Sequence, residues 1–287
     1  IGLMTHSPRR IDHLVVAVHD LDAAGLFYEK LGFQVGTRNR HPWGTENRLI
    51  QFGNSFIELI TVGPNADAIP DHAPGRFSFG AFVRDYLSQR EGLAMLVLNS
   101  EDAKADAARF AHLGIGAFEP FYFERKGQRP DGSEMHVAFT LAFAAHEKAP
   151  RAGFFVCQQH FPENFWNAAF QRHANGASGI IEVGMAASDP QMYREFLSGF
   201  SGGSAEAGTD GLSFKLHDGS LRVTPDSAGN AELQLCSFAV RVPDLGTEAR
   251  RLLAADVSFT ANDRGLSIGP ETAFGLSIRF EDAERRQ

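Results

Sequence analysis

The sequence predicts an α+β chain made of four copies of one βαβββ unit. Three observations carry this. A first strand followed by a helix recurs four times, with first strands at 11–18, 93–98, 179–186 and 233–240. The helix break Leu31-Gly32-Phe33 aligns with Leu113-Gly114-Ile115 in the second copy. Turn compositions such as Pro130-Asp131-Gly132 and His217-Asp218-Gly219 separate the strands that follow the helices.

In the first copy, strand 11–18 leads to Asp20, a helix-starting residue for 21–31. Strands near 33–38, 47–53 and 55–62 complete it. Residues 64–92 carry Pro64, Pro70 and Pro74 and a short helical piece at 82–87, the composition of a covering linker. The second copy has a helix at about 101–113 and strands near 117–124, 134–145 and 153–160. The aromatic and amide-rich segment 161–177 is expected to pack across a junction before the third copy. That copy reaches a helix start at Ser188-Asp189-Pro190 and continues with strands at 211–216 and 220–224. In the fourth, Pro243 and Asp244 open a helix at about 245–255, followed by strands near 257–261, 265–268 and 274–281.

Across 287 residues, an apolar content of 43% with 22% charged residues is that of a soluble globular protein. A formal charge of −8, with no Lys/Arg cluster beyond short pairs, argues against nucleic-acid and anionic-membrane surfaces. No apolar run approaches the roughly 18 residues that span a bilayer, and no signal-peptide core is visible, so a cytoplasmic location is expected. Cys157 and Cys236 do not form a disulfide framework and read as buried small side chains.

Two polar residues interrupt apolar strands. His13 sits in Ile11-Asp12-His13-Leu14-Val15-Val16, and Glu58 in Phe56-Ile57-Glu58-Leu59-Ile60. An unpaired charge there would cost several kcal/mol, so each needs a partner, either the other residue or a shared cation.

Strand 11–18, Leu31-Gly32-Phe33, His41-Pro42-Trp43-Gly44-Thr45-Glu46-Asn47 and the Glu58 strand together resemble the vicinal-oxygen-chelate superfamily, and most closely its glyoxalase-like domain. That superfamily includes glyoxalase I, bleomycin-resistance proteins and extradiol dioxygenases. The clear likeness spans 10–165. It implies that modules pair into curved sheets around cavities, giving two glyoxalase-like domains, 10–165 and 179–281, the second degenerate. It also implies that metal ligands come from first and last strands. Those positions hold His13 and Glu58 in the first copy. In the second they hold Met95 and a choice among Gln158, Gln159 and His160. The third and fourth copies offer Glu182 and Ser237, with no last-strand ligand.

The resemblance thus implies a divalent metal in the first domain, on His13, Glu58 and His160. Two imidazoles and a carboxylate suit Fe, and also admit Mn, Ni or Zn. The competing reading is that His13 and Glu58 only hydrogen-bond across a cavity. The loop after the helix would bring His41, Asn47 and Arg48 to the cavity mouth to orient a substrate, unless it is simply a solvated loop. Twenty-five Phe against four Tyr suggest apolar walls.

The implied function is a metal-dependent lyase, isomerase or dioxygenase acting on a small vicinal-oxygen substrate, with Glu58 or His160 moving a proton. The alternative is a non-catalytic binding protein similar to the bleomycin-resistance branch. Expected partners are a small-molecule substrate and, as a candidate homodimer, a second copy of the chain.

Overall fold

The computed structural model describes residues 7–129 and 131–282, so Pro130 of the expected turn lies outside the described residues. The first module comprises β1 (Ile11–Ala17), α1 (Leu21–Lys30), β2 (Asn39–Arg40), β3 (Thr45–Gln51) and β4 (Phe56–Val62). After the connecting helix α2 (Phe79–Leu87), the second has β5 (Gly92–Asn99), α3 (Ala103–Leu113), β6 (Phe121–Gln128), β7 (Glu134–Ala144) and β8 (Gly153–Gln159). The short helix α4 (Pro162–Phe165) precedes the third module: β9 (Gly179–Ala187), α5 (Arg194–Ser201), β10 (Ala205–Gly208), β11 (Gly211–Leu216) and β12 (Gly219–Pro225). The fourth is β13 (Gln234–Val242), α6 (Leu245–Ala254), β14 (Thr260–Asn262), β15 (Gly265–Ile268) and β16 (Ser277–Asp282).

Modules pair through their first strands. The two eight-stranded sheets run β2-β3-β4-β1-β5-β8-β7-β6 and β10-β11-β12-β9-β13-β16-β15-β14. In each module the first strand pairs parallel with the last, while the two first strands pair antiparallel. The acidic helix starts are true caps. Asp20 and Asp102 accept from the backbone N–H of Ala23 and Ala105 at 2.9 and 3.0 Å.

Every residue of β1 is buried, which explains its unbroken apolar run. Leu14 and Val16 face α1, where they join Leu21, Ala24 and Tyr28 in a core that continues into the second sheet. On the other face, Val15 and Ala17 meet Phe82, Val83 and Tyr86 of α2. Burying each such large apolar side chain stabilises by about 1.5–3 kcal/mol. The connecting segment is therefore a covering element, and its helix begins three residues before the expected position, capped by Ser78.

Among the described residues, no helix equivalent to α2 connects the third and fourth modules. Along β9, Ile181, Val183, Met185 and Ala187 are buried while Glu182, Gly184 and Ala186 are not, the alternation of a half-buried strand. The junction is held by Arg9, whose guanidinium is bidentate on Asp106 at 2.6 and 2.8 Å and also donates to the carbonyl of Phe200. The aromatic linker does pack across this junction. His173 accepts from the Gln34 N–H at 2.9 Å and bonds the Gln51 carbonyl at 2.7 Å, and Asn175 donates to the Leu31 carbonyl.

Two details differ from expectation. Residues 33–38 form no strand, because Phe33 turns into the shared core against Phe52 and Phe280 instead of joining the sheet edge. The third module has an additional edge strand, β10, whose Ala-Glu-Ala-Gly composition carries no apolar signal.

Candidate functional site

The site starts from an irregularity in β1. Pairing between β1 and β5 shifts register between Ile11 and His13, and such a bulge lets neighbouring side chains meet instead of alternating. Asp12 and His13 therefore touch, with Asp12 Oδ2 at 2.7 Å from His13 Nδ1. Asp12 is 1% exposed and His13 5%. A carboxylate only accepts, so Nδ1 carries a proton, and Nε2 is the acceptor nitrogen of the neutral form of the ring. Gln159 donates to the other Asp12 oxygen at 3.1 Å, and Arg10 stands 3.8 Å from it.

Nε2 of His13 lies 3.7 Å from Glu58 Oε2. Glu58 is placed by β4, which pairs parallel with β1 so that Glu58 stands opposite Val15. Its Oε1 accepts from Asn47 Nδ2 at 2.7 Å. The same amide group lies 3.3 Å from His41 Nε2, and His41 Nδ1 lies 2.7 Å from Thr45 Oγ1. Asn47 thus spends its two N–H bonds on Glu58 and His41, so His41 accepts at Nε2 and donates from Nδ1. Burial pushes the His41 imidazole below the usual histidine range, against the opposing pull of Glu58, which agrees with a neutral ring.

These groups face a cavity of about 220 Å³ whose walls include Trp43, Phe56, Phe79, Phe121, Phe123, Phe139, Phe155 and Phe165. The His13 ring stacks on Phe56 at 4.2 Å, and His41 stacks on Trp43 at 4.6 Å. Cys157 also lines the cavity; burial, then the nearby Asp12 and Glu58 charges, push its thiol well up, so it remains protonated. The volume is below the ~300–1,000 Å³ typical of pockets for drug-sized ligands and suits a ligand of about one ring.

Of the residues singled out from the sequence, His13, Glu58, His41 and Asn47 come together around this cavity. Arg48 does not. Strand alternation points Asn47 and Leu49 to the cavity and Arg48 to the other face, where it bonds the Gly36 carbonyl and lies against Gly25 of α1, a position where any Cβ would collide with it. His160 is likewise on the opposite face from Phe155 and Cys157. It is exposed and bonded to Thr140 Oγ1 at 2.7 Å, so the structure does not bring it to His13 and Glu58 as a third ligand or a proton carrier. Gln158 turns to α3, where it accepts from the Ala103 N–H, and only Gln159 reaches the site, through Asp12.

The register shows what stands in the symmetry-related positions. Glu58 is opposite the residue two beyond His13; the same step from Met95 leads to Val97, opposite Phe155. The paired module thus contributes Met95 and Phe155, both apolar. Among the described residues, no three His, Cys, Asp or Glu side chains are placed to hold one metal ion. In the second sheet the same steps give Glu182 with Arg222 and Ser237 with Arg279. Arg264 and Arg279 each approach Glu182 to 2.8 Å. Burial raises the Glu182 carboxyl, but these guanidinium contacts outweigh it and hold the group below the usual carboxylate range. The one carboxylate among these four positions is thus engaged by arginines.

Sequence reasoning missed Asp12, because alternation places neighbours on opposite faces. It also missed the wall residues of the β6–β7 hairpin, whose phenylalanines carry no signal that separates lining from core.

No curated protein matches the chain in sequence. Among solved structures, a hypothetical protein from Staphylococcus aureus superposes with a TM-score of 0.69 at 14% identity, covering 95% of this chain and 99% of that one. A triple mutant of 4-hydroxymandelate synthase from Streptomyces coelicolor gives 0.61 at 12%, covering 96% and 93%. The Mn(II)-bound glyoxalase from Novosphingobium aromaticivorans gives 0.57 at 10%, covering 96% and 82%. At these identities the likeness is one of fold. A family profile described as "Glyoxalase-like domain" matches residues 11–200, from β1 through the first sheet and into the third module. With the paired βαβββ sheets and the His13–Glu58 cavity, this match makes the chain a member of the glyoxalase-like domain family, within the vicinal-oxygen-chelate superfamily.

Proposed function

We propose that the protein is an enzyme that encloses a small, largely apolar ring compound in the first-sheet cavity and moves a proton next to an oxygen of that compound. The observation that carries this reading is the 2.7 Å contact of Asp12 with His13 Nδ1, which leaves the Nε2 lone pair facing the cavity beside Glu58. This is the arrangement of a general base oriented by a carboxylate.

A divalent cation would find two donors here, His13 Nε2 and Glu58 Oε2. Catalytic zinc sites and facial-triad iron sites use three protein ligands, and Met95 and Phe155 stand where the paired module would supply more. The residues present do not fit a resident metal, and the reading routes no step through one.

His13 Nε2 accepts a proton from an acidic C–H or O–H of the ligand. The imidazolium so formed has Asp12 at Nδ1 and Glu58 near Nε2, two carboxylates that offset its charge between aromatic walls. Asn47 and His41 hold Glu58 in place, and the aromatic walls set the plane of the ring. The proton returns at another position of the ligand or leaves with a departing group, the chemistry of an isomerase or lyase.

A second reading, a binding protein without chemistry, is favoured by the apolar Met95 and Phe155 positions. Solvent deuterium incorporation into a panel of single-ring aromatic carbonyl compounds, followed by proton NMR, separates the two. The enzyme reading expects exchange that falls by about 10²-fold or more in His13→Gln, the scale of general-base catalysis. It also expects Asp12→Asn to slow exchange with little change in ligand affinity. Binding of the panel with no exchange in the parent protein would leave only the sequestering role.

A further inference from the structure

We infer that the cleft between the start of β1 and the β11–β12 hairpin is a second binding site, for a phosphorylated, hydroxyl-bearing small molecule. The cleft measures about 610 Å³ and shares no lining residue with the aromatic cavity. It is large enough for a small-molecule ligand.

Its charge runs against the composition of the chain. The protein carries a formal −8, yet Arg10, Lys215 and Arg241 line this cleft together, against a single lining carboxylate, Asp218. Asp218 lies 3.1 Å from His217 Nδ1, so it is already engaged locally. Among the described residues, no carboxylate lies within ion-pair distance of Lys215 or Arg241, whereas Arg10 pairs with Asp12 at 3.8 Å and donates to the Ile11 and Asn54 carbonyls. Lys215 and Arg241 thus bring positive charge without a carboxylate partner to one concave space, a potential that an oxyanion relieves. Arg241 offers a guanidinium, which matches phosphoryl oxygens in a bidentate manner, and Lys215 a point charge of the kind that also binds phosphate.

The walls are fixed by backbone pairing rather than by the side chains themselves. Arg10 and His217 form a parallel bridge, and the His217 N–H donates to the Arg9 carbonyl at 3.0 Å. The start of β1 and the β11–β12 turn are therefore held against each other before a ligand arrives. The hydroxyls of Ser55, Ser178 and Ser220 share the remainder with Asn54 and aliphatic side chains such as Ile180 and Ile181, in contrast to the phenyl walls of the other cavity. Such a lining suits a hydroxylated body attached to the charged head.

The test is calorimetric titration of the full chain with ribose 5-phosphate, inorganic phosphate and ribose, in the parent and in Lys215→Glu and Arg241→Gln. Lys215 is exposed and Arg241 half-buried, and both lie outside the aromatic cavity. The expected result is saturable binding of ribose 5-phosphate, weaker binding of inorganic phosphate, none of ribose, and about tenfold or greater loss of affinity in each variant, the scale of one charge-assisted contact. Phosphate binding as tightly as the ester would overturn the hydroxylated body. Absence of binding by either phosphate, or binding indifferent to both substitutions, would overturn the site.

Discussion

Glu248 on α6 supplies a pH-dependent test that needs no substrate. It is 1% exposed, its Oε2 meets Arg251 Nε at 3.2 Å, and its Oε1 has no hydrogen-bond partner. Burial pushes its carboxyl up to about 7 from 4.5, with Arg251 opposing only in part. A group whose folded pKa is raised contributes stability that is fully present below its unfolded value and is lost as pH rises through the folded one. The native state should therefore lose on the order of 2–3 kcal/mol from this group between pH 5 and pH 8. Glu248→Gln keeps the neutral shape and removes the titration. Urea unfolding of parent and variant at both pH values measures the difference. The variant should gain about 2–3 kcal/mol relative to the parent on going from pH 5 to pH 8. An equal parent-to-variant difference at the two pH values would show that Glu248 is charged in the fold at both, and the reasoning from burial would fail.

Two further outcomes follow from the packing. Arg9→Ala leaves the buried Asp106 carboxylate without its bidentate partner and should destabilise by about 3–5 kcal/mol, read as a shift of the urea midpoint. A small shift would mean that water reaches the junction. Met95→His combined with Phe155→Glu places an imidazole and a carboxylate opposite His13 and Glu58, and should create stoichiometric zinc or manganese binding by calorimetry in a variant that remains folded. Failure of the folded double variant to bind either ion would show that the register equivalence does not translate into a shared ligand position.

The module pattern was legible because its signals are local: Asp20 and Asp244 cap helices, Gly32 and Gly114 break them, and apolar first strands mark the sheet centres. His13 and Glu58 were legible because a charge inside an apolar strand needs a partner, and the sheet places the two side by side. Asp12 was not, since its contact with His13 depends on a bulge that only the pairing of β1 with β5 reveals. Arg48 was assigned to the site through the turn expected at Gly44-Thr45, and His160 as a last-strand ligand position implied by the family resemblance. Alternation sends each to the opposite face, and one residue of register decides the matter. The engagement of Glu182 by arginines from three other strands or loops is equally non-local.

The most direct measurement is the metal content, by mass spectrometry, of protein purified without chelator, in the parent and in His13→Ala and Glu58→Ala. Because His13 and Glu58 have no third metal-ligating side chain beside them among the described residues, the account predicts the same substoichiometric content in all three proteins. About one divalent ion per chain in the parent, lost in both variants, would contradict it.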